Sequence, residues 1–167
     1  MTPTPTGRLF GADRGTDLVI TREFRAPVED VWASLTEPDR TARWYGRWDG
    51  HAAPGRSIRV QMAFEEGQPW SELRIDACEP PRRLALSSQD EAGAWRWEVQ
   101  LTPHGERTEL RFVQHLDTVE GIGEIGPGWE YYLDRLLAVH NDTTMPSFDD
   151  YYPAMKTYFD QLSLSPR

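Results

Sequence analysis

The fold is decided by FRAPVEDVWASLTEPDRTARWYGRW (residues 24–48) and GPGWEYYLDRLLAVH (residues 126–140). In the first stretch Pro27 stands at a first-turn position, where its missing N–H costs nothing. Val28, Val31, Trp32 and Leu35 recur at helical spacing, and Glu29, Asp30 and Ser34 occupy the other face. The early acids also suit the positive end of the helix dipole. Glu37-Pro38 ends this helix, and Pro38 opens a second, short one towards Trp44. In the second stretch Trp129, Tyr132, Leu133, Leu136 and His140 form one stripe, and Glu130, Asp134 and Arg135 are expected on a solvated face.

Outward from these helices, the remaining periodicity is that of strands. Residues 17–25 alternate. Ile58, Val60, Met62 and Phe64 share a face within 56–64; Ser71, Leu73, Ile75 and Ala77 share one within 70–78; Leu84 and Leu86 mark a short strand. Trp95, Trp97, Val99 and Leu101 are in phase, as are Leu110, Phe112 and Gln114. Short turns between them imply an antiparallel meander. Residues 1–16 are expected to be a flexible lead, 17–141 the domain, and 142–167 an extension whose short helix, from about Pro153, buries Met155, Tyr158, Phe159 and Leu162. Between the last strand and the long helix, 117–128 reads as a glycine-rich loop, whose composition over 121–128 permits a gate. Its GIGEIG matches the dinucleotide fingerprint, but that motif needs a parallel strand-helix-strand unit, which antiparallel strands do not provide.

The chain has 167 residues, enough for one domain, and a formal net charge of -9, which opposes the phosphate neutralisation that nucleic-acid binding needs. All but one of its cations are arginines, as a GC-rich genome would favour, so lysine chemistry would fall to Lys156 near the tail. A single cysteine, Cys78, forms no intramolecular disulfide and suits a reducing compartment. With neither a signal-like start nor a membrane-length apolar run, the expected location is cytoplasmic and no membrane partner is expected.

Few residues carry an obvious chemistry. The four histidines lack HExxH spacing and one cysteine cannot build a thiolate zinc site, so neither metal nor cofactor is expected. No GxSxG elbow is present, and Cys78 falls out of phase with the inward residues of its strand. Strict alternation also turns His115 away from Phe112 and Gln114. Adjacent carboxylates such as Glu65-Glu66 and Asp149-Asp150 lie where a solvated surface is normally acidic.

REFRAPVEDVWASLTEPDRTARWYG (22–46) followed by GWEYYLDRL (128–136) resembles the SRPBCC or START-like superfamily, within it the group similar to the C-terminal domain of the activator of heat-shock protein 90 ATPase. The resemblance covers roughly residues 18–140. It implies an α+β helix-grip fold: a curved antiparallel sheet wrapped around a long C-terminal helix, with two short helices after the first strand. It also implies a cavity between sheet and helix that binds or carries a small apolar or aromatic molecule. On that fold the lining is expected from Trp44, Trp48, Val60, Met62, Phe64 and Leu73, from Trp95, Trp97, Phe112 and Gln114, and from Trp129, Tyr132, Leu133 and Leu136. Two alternatives stay open. One is an enzyme of the polyketide cyclase or aromatase type, with Tyr132, Gln114 and His115 as first suspects for proton transfer; the other is a chaperone-associated domain with a protein partner.

Overall fold

The computed structural model describes residues 2–90 and 93–166. Met1, Glu91, Ala92 and Arg167, which belong to the expected lead, a turn and the extension, lie outside the described residues. The strands are β1 (Arg8–Gly11), β2 (Thr16–Phe24), β3 (Trp48–Asp49), β4 (Ser57–Gln61), β5 (Trp70–Glu79), β6 (Arg83–Asp90), β7 (Gly93–His104) and β8 (Arg107–Leu116). The helices are α1 (Val28–Thr36), α2 (Pro38–Thr41), α3 (Ile122–Asn141) and α4 (Lys156–Asp160). One antiparallel sheet runs in the order β1-β2-β8-β7-β6-β5-β4-β3, and α3 packs across β2. This is the helix-grip architecture. None of the described helices is long and apolar enough to cross a membrane.

The first helical pair is fastened by its own tryptophans. The last carbonyls of a helix have no partner within it. Here the Trp44 indole donates to Ser34 O at 2.8 Å and the Trp48 indole to Thr36 O at 2.9 Å, so the α1 end is satisfied by rings that follow α2. Gly46 permits this packing: a β-carbon there would lie 1.7 Å from the carbonyl oxygen of Gln61, so only glycine lets the α2 tail approach β4.

Three expectations are corrected. First, part of the lead expected to be flexible forms the edge strand β1, and Leu9, 3% exposed, joins the core. Second, the glycine-rich segment is not a loop over a cavity, because α3 starts at Ile122 and includes Gly123, Gly126, Pro127 and Gly128. Helix propensity argues against those residues, but the extension needs two of the glycines small: a β-carbon on Gly123 would sit 2.4 Å from the Asp160 carboxylate and one on Gly126 2.4 Å from the Phe159 ring. Third, α3 has no continuous wet face. Glu130 is completely buried, because the N-terminal lead and the C-terminal extension cover it, and Arg135 is nearly so, engaged by the Trp44 carbonyl after α2 and by the Phe64 ring.

The buried charges are compensated. The Glu130 carboxylate accepts from the Arg22 guanidinium at 2.7 Å, from Thr6 Oγ1 at 2.7 Å and from the Gly7 amide at 3.0 Å. Arg22 also donates to Asp134 at 2.8 Å, and Asp134 accepts from the Tyr151 hydroxyl at 2.7 Å. Burial alone would lower the Arg22 pKa, but the two carboxylates outweigh it and raise it. The network joins lead, β2, α3 and extension at one point.

Candidate functional site: an apolar chamber and its outer cleft

A β-bulge shapes the chamber floor. Pairing of β5 with β6 runs Ile75 to Leu86 and then Ala77 to Ala85, leaving Asp76 extra. An extra residue reverses the alternation beyond it. Leu73 and Ile75 therefore face the chamber before the bulge, and Cys78, not Ala77, faces it afterwards, opposite Leu84. This corrects the expected outward placing of Cys78. Burial, aided by Glu79, pushes its thiol pKa up.

The chamber has a volume of about 150 Å³. Of the expected lining, Trp44, Trp48, Val60 and Leu73 line it from one side, and Trp97, Phe112, Trp129 and Leu133 from the other. The wall is chemically quiet because most of its potential donors are spent elsewhere. The indoles of Trp44 and Trp48 donate to the α1 end, and that of Trp129 donates to Gln114 Oε1 at 2.8 Å. Thr36 and Thr41, the two threonines in the wall, donate to the carbonyls of Trp32 and Pro38 at 2.8 and 3.2 Å. What faces inward is carbon, with the Cys78 sulfur.

A second, open cleft of about 570 Å³ adjoins it and shares Tyr45, Leu73, Trp97 and Trp129 with it. These shared residues form a partition. The Tyr45 and Trp129 rings lie parallel within 5° at 6.2 Å, and Trp129 packs on Phe112 at 4.3 Å and Trp97 at 5.7 Å. Met62, Trp95 and Tyr132, expected in the cavity, line this outer cleft instead.

Other expected lining residues lie elsewhere. β4 ends at Gln61, so Phe64 is in the following turn, 39% exposed, with the Arg135 guanidinium 3.5 Å from its ring centre. Leu136 is fully buried in the core without reaching the chamber surface. Gln114 is buried too, and its carbonyl is occupied by the Trp129 indole, so it positions a wall residue.

The three suspects for proton transfer are not brought together. Tyr132 lies at the outer cleft, its hydroxyl donating to Glu65 at 3.0 Å. Burial first, and then the Glu65 carboxylate, push the phenol pKa values of both Tyr132 and Tyr45 far above their ordinary value, so both remain protonated donors at neutral pH. His115 is on the other face of the sheet, its Nδ1 at 2.7 Å from Asp17 and its Nε2 at 3.2 Å from Glu98.

One constellation has no sequence signature. Ser34 Oγ lies 2.8 Å from His140 Nε2, whose Nδ1 is 3.7 Å from Asp30, in the order of a nucleophile, a base and an orienting carboxylate. Yet Ser34 is 2% exposed and lines neither the chamber nor the cleft. Arg40 donates to Ser34 Oγ at 2.8 Å and to Asp30 at 2.6 Å, so the serine is already held by a second partner. The set therefore ties α1 and α2 to the end of α3.

It also makes acid sensitivity local. Burial lowers the His140 pKa, Asp30 opposes this, and Arg40 and Arg43 reinforce it. A histidine whose folded pKa is depressed contributes stability above its unfolded pKa of about 6.5 and loses it as the pH falls towards the folded value. Urea midpoints at pH 7 and 5.5 should show a larger acid loss in the native protein than in His140→Gln. Equal losses would exclude His140 as the source.

A curved antiparallel sheet gripping a long C-terminal helix, with an apolar chamber between them, defines a START-like domain of the SRPBCC superfamily. The sequence profile of the activator of Hsp90 ATPase homolog 1-like proteins matches residues 25–141, and the chain belongs to that family. Among solved structures it is similar to CalU16 from Micromonospora echinospora, with a TM-score of 0.79 and 24% identity over 96% of this chain and 98% of that one. The protein encoded by BPP1335 of Bordetella parapertussis gives a TM-score of 0.74 at 23% identity over 99% and 96%. DynU16, from the dynemicin biosynthetic locus, gives 0.67 at 22% over 79% of this chain and 50% of that one. No curated protein matches the chain.

Proposed function

We propose that this protein binds a small apolar or aromatic molecule in the chamber between sheet and α3, as a carrier or sequestering module. The observation that carries this reading is the wall chemistry: carbon faces with most of the neighbouring donors already bonded to the protein. Such a surface gains from excluding water and offers little polar area to orient a reacting atom. A dry apolar cavity of similar volume accepts benzene, so a ligand body of one or two rings fits the space. Turnover of the cyclase type is less well supported, because Tyr132, Gln114 and His115 occupy three separate environments.

Cys78 supplies the test, since it is the sole cysteine and faces the chamber. Saturating 2-naphthylmethanol should slow its alkylation by iodoacetamide at least tenfold, read as intact mass against time. An unchanged rate at concentrations that saturate any binding signal would place the ligand outside the chamber and overturn the proposal.

A further inference from the structure

The outer cleft differs from the chamber in charge and in the kind of face it offers. Aromatic rings of Tyr45, Trp95, Trp129 and Tyr132 line it, and among the described residues its only ionisable side chains besides the tyrosines are the carboxylates Glu65 and Glu124. The neighbouring cations are already engaged, Lys156 and Arg59 by residues of the lining itself. Lys156 bridges Glu124 at 3.5 Å and Asp160 at 2.8 Å, and Arg135 is held by the Trp44 carbonyl at 3.0 Å beneath Phe64. Arg59 stands 4.8 Å from the Trp70 ring centre and 3.5 Å from Asp49. Glu65 has the Tyr132 hydroxyl as partner and no ion pair among the described residues. Aromatic faces next to an uncompensated carboxylate attract a cation by ring quadrupole and by charge together, and repel an anion.

Cleft and chamber share the Tyr45–Trp129 partition, so a small molecule that parts these two rings can occupy both. We infer that the ligand is a hydrophobic amine, with its apolar or aromatic body in the chamber and its protonated nitrogen in the outer cleft, between the Trp129 and Tyr132 faces and Glu65. This rests on the chamber-binding reading above and adds the charge of the ligand to it. Fatty acids and aryl carboxylates of the same shape are selected against, because their charge would lie beside Glu65, which no cation among the described residues pairs.

Three probes of matched shape test this: 2-naphthylmethylammonium, 2-naphthylmethanol and 2-naphthoate, titrated by tryptophan fluorescence at pH 7 and low salt. The ammonium should bind about tenfold more tightly than the alcohol and the naphthoate more weakly than either. Glu65→Gln keeps an oxygen for the Tyr132 hydroxyl but removes the charge, and should bring the ammonium to within about threefold of the alcohol. Since Glu65 is exposed, the fold tolerates the change. An alcohol as tight as the ammonium, or a preference that survives Glu65→Gln, would overturn the inference while leaving chamber binding in place. Saturable binding by none of the three would overturn the chamber reading and this inference with it.

Discussion

Glu130→Ala should lower the unfolding free energy by about 3 kcal/mol, the lower end of the cost of breaking a buried ion pair, because Arg22 keeps Asp134 as a second partner. For a chain of this size that corresponds to a melting temperature lower by roughly 6–12 °C. The loss has two parts: Arg22 remains buried with half its compensation, and the Thr6 hydroxyl and Gly7 amide lose their acceptor. Glu130→Gln retains an acceptor and should fall between the native protein and the alanine variant. A Glu130→Ala change within 0.5 kcal/mol of native, by urea denaturation, would show that the lead and extension are not fastened through this carboxylate.

Leu133→Trp should reduce affinity for 2-naphthylmethanol at least thirtyfold. Leu133 is 1% exposed and forms the α3 wall of a chamber of about 150 Å³, so an indole there occupies the space a ligand would take. Overpacking is expected to cost about 1–3 kcal/mol of stability, which circular dichroism and a melting curve will measure separately. Leu86→Trp approaches the same space from β6, where the native side chain is only half-buried and the backbone is fixed by pairing on both sides. Both variants should lose binding while keeping the native spectrum. Undiminished affinity in both would move the ligand out of the chamber.

The helices and strands that frame the chamber were legible because their periodicity is strong and their ends carry chemical punctuation. Pro27, Glu37-Pro38 and the spacing of Val28, Val31, Trp32 and Leu35 mark α1 and α2 without tertiary information. The β7 and β8 faces carrying Trp97 and Phe112 followed from simple alternation. What stayed hidden depends on contacts distant in sequence. The first turns of α3 read as a loop because glycine and proline disfavour helix, and the compensating packing of Phe159 against Gly126 comes from the far end of the chain. Glu130 reads as solvated because nothing local announces that lead and extension will cover it, and Arg135 because nothing local announces the Trp44 carbonyl and Phe64 ring that engage it. The inward turn of Cys78 required a bulge at Asp76, which no turn residue flags.

The polar parts of the site were the least legible. Gln114 shares the inward face of its strand, as alternation requires, but its amide is committed to the Trp129 indole. Residue type and phase place a side chain on a face; they do not reveal which partner has already claimed its hydrogen bonds. The same holds for Trp44 and Trp48, whose rings were expected at the cavity but whose N–H groups fasten α1. That commitment is what leaves the chamber apolar.

The most direct test of chamber binding is a two-dimensional NMR titration of the seven tryptophan indole N–H groups with 2-naphthylmethanol. Trp44, Trp48, Trp97 and Trp129 line the chamber, whereas Trp32 does not. Saturable shifts concentrated on the four lining indoles, with Trp32 unmoved, are the predicted result. Shifts confined to the exposed Trp70, or no saturable shift up to the solubility limit of the probe, would contradict it.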